Sequence, residues 1–185
     1  KTPLPIMAKN LDLLIKAGFP LGVWTLNILG NPTETKAEME DTLRFNANHL
    51  ADVCRFNFMS PYKDSDIYEY CQERNLLLDN DTPSFTGRYV SVIKHKPEQS
   101  AFLEKFFDIG HWYMNIHEPI GLEDYYSPLI KEVEKIEVGE WENRKNHFLK
   151  KDRELSRVLS IQKRNHYEFM FRGKTSGKVI GLRKF

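Results

Sequence analysis

With 185 residues, 41% of them hydrophobic and 29% charged, the chain can bury on the order of 70% of its unfolded surface and lacks the composition of a disordered segment. No apolar run approaches the ~20 residues that cross a bilayer, no secretory pattern opens the sequence, and two cysteines 17 positions apart argue against a disulfide framework or a standard zinc site; a cytoplasmic protein is expected. The net charge of +1 is unevenly spread, with 14 Lys and Arg against 20 Asp and Glu in residues 1–136 and 13 against 6 in residues 137–185.

Helical spacing begins directly after Lys1. Met7, Leu11, Leu14 and Ile15 recur at the 3.6-residue period, and Gly18 supplies the stop. No strand precedes this helix, which is the pattern expected of a piece of a longer chain. Residues 20–30, PLGVWTLNILG, read as a strand apolar on both faces, as parallel strands under helices are. Thr35 and Glu38 form a capping box, worth about 1 kcal/mol. It opens a helix with Met39, Leu43, Ala47 and Leu50 on its buried stripe. A second strand over residues 53–59 ends at SPYKDS, and a third helix carries Ile67, Tyr70 and Cys71 on one side. Helix and strand alternate here as in a parallel α/β sheet or barrel.

Beyond Leu78 the rhythm changes. A loop with turn residues leads to a short strand at YVSVI, and Pro97 starts a helix bearing Phe102, Leu103, Phe106 and Phe107. Two further helical patterns cover residues 129–136 and 141–161. Tyr167, Phe169 and Phe171 alternate at the end, as a hairpin or as a helix end with a tail.

In parallel α/β folds, ligands gather at the carboxyl ends of strands, where loops run into helix N-termini. Two such ends occur, ILGNPTET at 28–35 and FMSPYKDSD at 58–66. Gly30 would admit a ligand close to the backbone, and it would equally serve an ordinary strand-to-helix turn. Spacing alone leaves both readings open.

Residues 5–78 carry a family likeness. Gly30-Asn31-Pro32-Thr33-Glu34-Thr35 is similar to a strand end of the form G-x-P-G-E-T. At matching distance, Pro61-Tyr62-Lys63-Asp64-Ser65-Asp66-Ile67-Tyr68 is similar to P-x-P-G-T-x-L-Y. The two linked motifs resemble the second half of the radical S-adenosylmethionine (SAM) barrel. The likeness is closest to members associated with a cobalamin-binding domain, the tetrapyrrole cyclase-like and methyltransferase-like Fe–S oxidoreductases. Thr33 stands where that family has Gly, Lys63-Asp64 where it has Pro-Gly, and Ser65 where it has Thr. The CxxxCxxC loop whose thiolates hold a [4Fe–4S] cluster is missing, as is the early segment that meets the SAM amino group.

The resemblance implies an α/β fold: the C-terminal half of a partial (β/α)6 barrel in residues 1–96, then a mostly helical domain with a basic tail in residues 97–185. It implies a fragment of an enzyme that cleaves SAM at a [4Fe–4S] cluster for radical methyl transfer or oxidative cyclisation of a small-molecule substrate, with cobalamin as a further cofactor where that part of the likeness holds. The fragment alone would be inactive and would hold none of these cofactors tightly. No residue in it would be catalytic or ligate a metal. Its cofactor-binding residues would be Ile28 on the adenine, Gly30 beside the nucleoside, and Phe58, Met59 and Ser60 flanking the adenine through backbone and apolar contact. Glu34 would serve as a helix-start carboxylate. The implied partner is the upstream part of the same polypeptide. The exposed edge of the first strand would be covered by a second copy, as a dimer, or by the C-terminal region.

A second reading belongs to another class: a stand-alone α/β binding or interaction module whose basic tail engages an acidic partner or nucleic acid, with strong salt dependence. The remaining motifs favour packing. His49, His95, His111 and His117 are scattered, and Cys54 and Cys71 sit in apolar patterns. EDYY and GHWYMN hold aromatics suited to a core, a domain contact or a pocket. RGKTSGK at 172–178 lacks the glycine that a phosphate loop needs five residues before Gly173.

Overall fold

The computed structural model describes residues 4–18, 22–78, 90–168 and the backbone of 171–173. In chain order these form α1 (Leu4–Lys16), β1 (Trp24–Leu29), α2 (Lys36–Asn48), β2 (Val53–Phe58), α3 (Asp66–Glu73), α4 (Pro97–Asn115), α5 (Glu123–Val133), α6 (Trp141–Ile161), β3 (His166–Glu168) and β4 (Phe171–Gly173). The fold is mixed α/β. β1 and β2 run parallel, with Leu26 opposite Arg55 and Ile28 opposite Asn57. The β3–β4 hairpin extends the sheet in the order β1-β2-β4-β3, β4 lying antiparallel to β2.

Local chemistry sets the boundaries. Gly18 stops α1 in the left-handed region, at φ +66°. Thr35 accepts from the Glu38 amide while the Glu38 carboxylate accepts from the Thr35 amide at 2.7 Å, so the capping box is complete. Ser65 caps α3 by accepting from the Tyr68 amide. Residues 76–78 and 92–94 meet in a short antiparallel bridge, Leu77 opposite Ile93.

α2 and α4 cover one face of the parallel pair. Met39, Leu43 and Ala47 of α2 are fully buried. Phe56 and Phe58 pack on Phe106 of α4 with ring centroids 5.0 and 5.9 Å apart. α4 is buried nearly all round, and through Trp112, Tyr126, Trp141, Leu159 and Tyr167 the same core continues into the C-terminal elements. The barrel part and the helical part expected from the sequence therefore share one hydrophobic core.

Three expectations are corrected. The apolar stripe of α1 is not a buried one: Leu11 is buried, but Met7 and Leu14 are exposed and Ile15 only half-buried. β1 is not apolar on both faces: Thr25 and Asn27 point at α2, and Trp24, Leu26 and Ile28 point away from it. The C-terminal region does add to the sheet, yet it lies against β2, not against the free edge of β1. No strand pairs with that edge among the described residues. Phe169 and residues 174–178 of the RGKTSGK motif lie outside the described residues.

Candidate functional site

The inverted polarity of β1 has an anchor. Asn46 of α2 is fully buried and accepts from the Thr25 hydroxyl. Its amide donates to Asn27 Oδ1 at 3.0 Å and to the Thr42 carbonyl at 2.8 Å. Asn27 donates in turn to the Arg55 carbonyl at 3.1 Å. A polar trio thus occupies the helix side of β1, and the strand's large apolar groups are left on the other side. Trp24 is 52% exposed, Leu26 77% and Ile28 51%. From β2 the same side receives Arg55, Asn57 and, just past the strand, Met59. Apolar groups of this size side by side on an open sheet mark a surface made to be covered.

The strand tips lie side by side, the Met59 amide donating to the Leu29 carbonyl at 2.7 Å. Of the residues expected to bind the cofactor, Ile28 and Met59 turn to the uncovered face at this end. Phe58 does not: its ring is buried between Phe106 and Phe107. Ser60 is buried beside it in sequence. Gly30 has φ +75°, and a Cβ there would stand 3.3 Å from Leu103 Cδ1 and 3.4 Å from His95 Nε2. Its close approach is to α4 and His95, which explains the glycine by packing. Only its backbone remains for a ligand.

The loop after β1 is shaped from within. The Glu34 carboxylate accepts from the Asn31 backbone and side-chain amides at 3.0 and 3.3 Å, bracing the loop, while the start of α2 is capped by Thr35 and Glu38. The loop after β2 holds Asp64 at φ +65°, a conformation that glycine adopts freely and aspartate tolerates. Thr33, by contrast, is not in the left-handed region.

Behind the tips, on the helical side, a cleft of about 320 Å³ is lined by Phe58, Ser91, Ile93, His95, Leu103 and Glu104 among others. Ser91 Oγ and His95 Nε2 are 2.8 Å apart, and burial holds the His95 imidazole below its ordinary range. His111 and Trp112 both bond the Asp152 carboxylate, the indole at 2.8 Å. Those aromatics are core, as is fully buried Tyr126. Cys54 and Cys71 are buried on different elements, and among the described residues no group of three His, Cys, Asp or Glu could hold a metal. The chain's thiols do not fit an iron–sulfur cluster. No helix among the described residues is long and apolar enough to cross a membrane.

Comparison with protein-family models, curated proteins and solved structures gives no match. Sequence reasoning missed Arg55 and Asn57, whose i, i+2 spacing on β2 could have placed them beside Ile28 once the sheet was known to be parallel.

Proposed function

We propose that the chain is the C-terminal part of a radical SAM barrel and forms one wall of its nucleoside and substrate cavity. One observation carries the reading: β1 turns Trp24, Leu26 and Ile28 to a face that nothing among the described residues covers, and the same strand ends the sheet with a free edge. A barrel wall separated from its neighbours has this form, with helices outside, an interior lining opposite, and an edge where the next strand belongs. Asp64 adds support, since its left-handed backbone falls where the second motif has glycine, and Ser65 caps α3 where the motif has threonine.

In this reading Ile28 and Met59 offer apolar contact to the adenine, and the backbone at Gly30 and Ser60 borders it. Glu34 keeps the first loop in shape. The cluster's chemistry, reductive cleavage of SAM leading to radical methyl transfer or oxidative cyclisation, with or without cobalamin, belongs to residues outside this chain.

Extending the reading frame upstream tests the proposal. The expected result is a CxxxCxxC loop, together with the visible absorbance of a [4Fe–4S] cluster after reconstitution of the extended protein. An extended protein with neither overturns the reading, as does SAM turnover by the 185-residue chain alone.

A further inference from the structure

We propose that Arg55 and Asn57 bind the carboxylate, or a like oxyanion, of a small ligand whose apolar body lies on Leu26 and Ile28. The inference rests on the barrel-wall reading for its cavity, and it adds to that reading the class of substrate: apolar-bodied and anionic.

β1 and β2 turn Trp24, Leu26, Ile28, Arg55, Asn57 and Met59 to this face, and Arg55 is the one charge that these two strands bring to it. Among the described residues no carboxylate pairs with it, and the Asn57 side chain has no hydrogen-bond partner. The Arg55 guanidinium carbon stands 5.2 Å from the Trp24 ring centroid. That contact restrains the side chain and consumes none of its N–H donors. Asn57, two residues nearer the strand tip, brings a second donor to the same side, with Ile28 directly opposite in the register. A face built only for packing against protein would gain nothing from an unpaired cation at its centre, since covering it there costs desolvation. An incoming oxyanion repays that cost through charge-assisted hydrogen bonds from the guanidinium.

Two fluorescent dyes with one skeleton test this on the chain as it exists. 8-Anilinonaphthalene-1-sulfonate carries an anionic group, and N-phenyl-1-naphthylamine lacks it. Arg55→Gln is expected to weaken the anionic dye on the order of tenfold, the equivalent of one charge-assisted hydrogen bond, and to leave the neutral dye unchanged. Arg55→Lys recovers part of the loss. Arg144→Gln, an exposed arginine of α6, leaves both dyes unchanged. The proposal is overturned if Arg55→Gln spares the anionic dye, if it weakens both dyes alike, or if Arg144→Gln matches its effect. Loss of the cluster result in the extended protein would remove the barrel reading and leave this dye result standing, so the two failures are distinguishable.

Discussion

Replacing Asn46 by alanine should cost more than the loss of one surface amide. The side chain makes three hydrogen bonds, from the Thr25 hydroxyl and to Asn27 Oδ1 and the Thr42 carbonyl, each worth about 0.5–1.5 kcal/mol net. Thr25 and Asn27 are half-buried, so water restores part of what they lose, and the total is expected to be about 2–3 kcal/mol. For a chain of this length that corresponds to a fall in Tm of roughly 5–10 °C. Urea unfolding followed by circular dichroism measures it, with an unchanged slope showing that the folded state is otherwise intact. The combination Thr25→Val, Asn27→Val and Asn46→Leu removes donors and acceptors together and should recover most of the loss, because replacing both partners by apolar groups leaves nothing unpaired. A cost below about 0.5 kcal/mol for Asn46→Ala, or a triple variant weaker than the single one, would refute the claim that this trio fixes which way β1 faces.

Gly30→Ala should destabilise the chain alone by about 2 kcal/mol, from left-handed strain of about 1–2 kcal/mol and close contact with Leu103 and His95; an unchanged urea midpoint would return the glycine to a ligand role. His166 offers a pH signature. Burial pulls its imidazole down, but the Glu168 hydrogen bond, the Arg164 carbonyl and the nearby carboxylates outweigh it and the net shift is upward. Its contribution is therefore full below the ordinary value of 6.5 and lost as pH rises through the raised one. His166→Gln should flatten the stability loss that sets in as pH rises above 6.5, and an identical slope in both proteins would contradict the assignment.

Much of the framework could be read from the residues because local signals agreed. The Thr35–Glu38 box, Gly18 and the β-formers of 53–58 each mark a boundary that needs no tertiary information. Pro97 and the aromatic spacing after it identify α4 in the same way. The facing of β1 could not be read, since WTLNIL alternates and either side of an alternating strand can be the buried one until its neighbours are known. Asn46 decides it from α2, 19 residues beyond Asn27 and 21 beyond Thr25. Gly30 shows the same limit. A glycine at a strand tip fits a nucleoside and a helix equally, and only the positions of Leu103 and His95 separate them.

β3 closes one side of the sheet in an unusual way. Asn115, fully buried at the end of α4, donates to the Tyr167 carbonyl at 3.0 Å and accepts from the Tyr167 amide at 2.6 Å, as a neighbouring strand would. With that rim occupied by a side chain, the open rims among the described residues are β1 and the stretch of β2 past Val53, where its pairing with β4 stops. Whatever docks on either one, another copy included, would extend the sheet through backbone donors and acceptors that no strand meets.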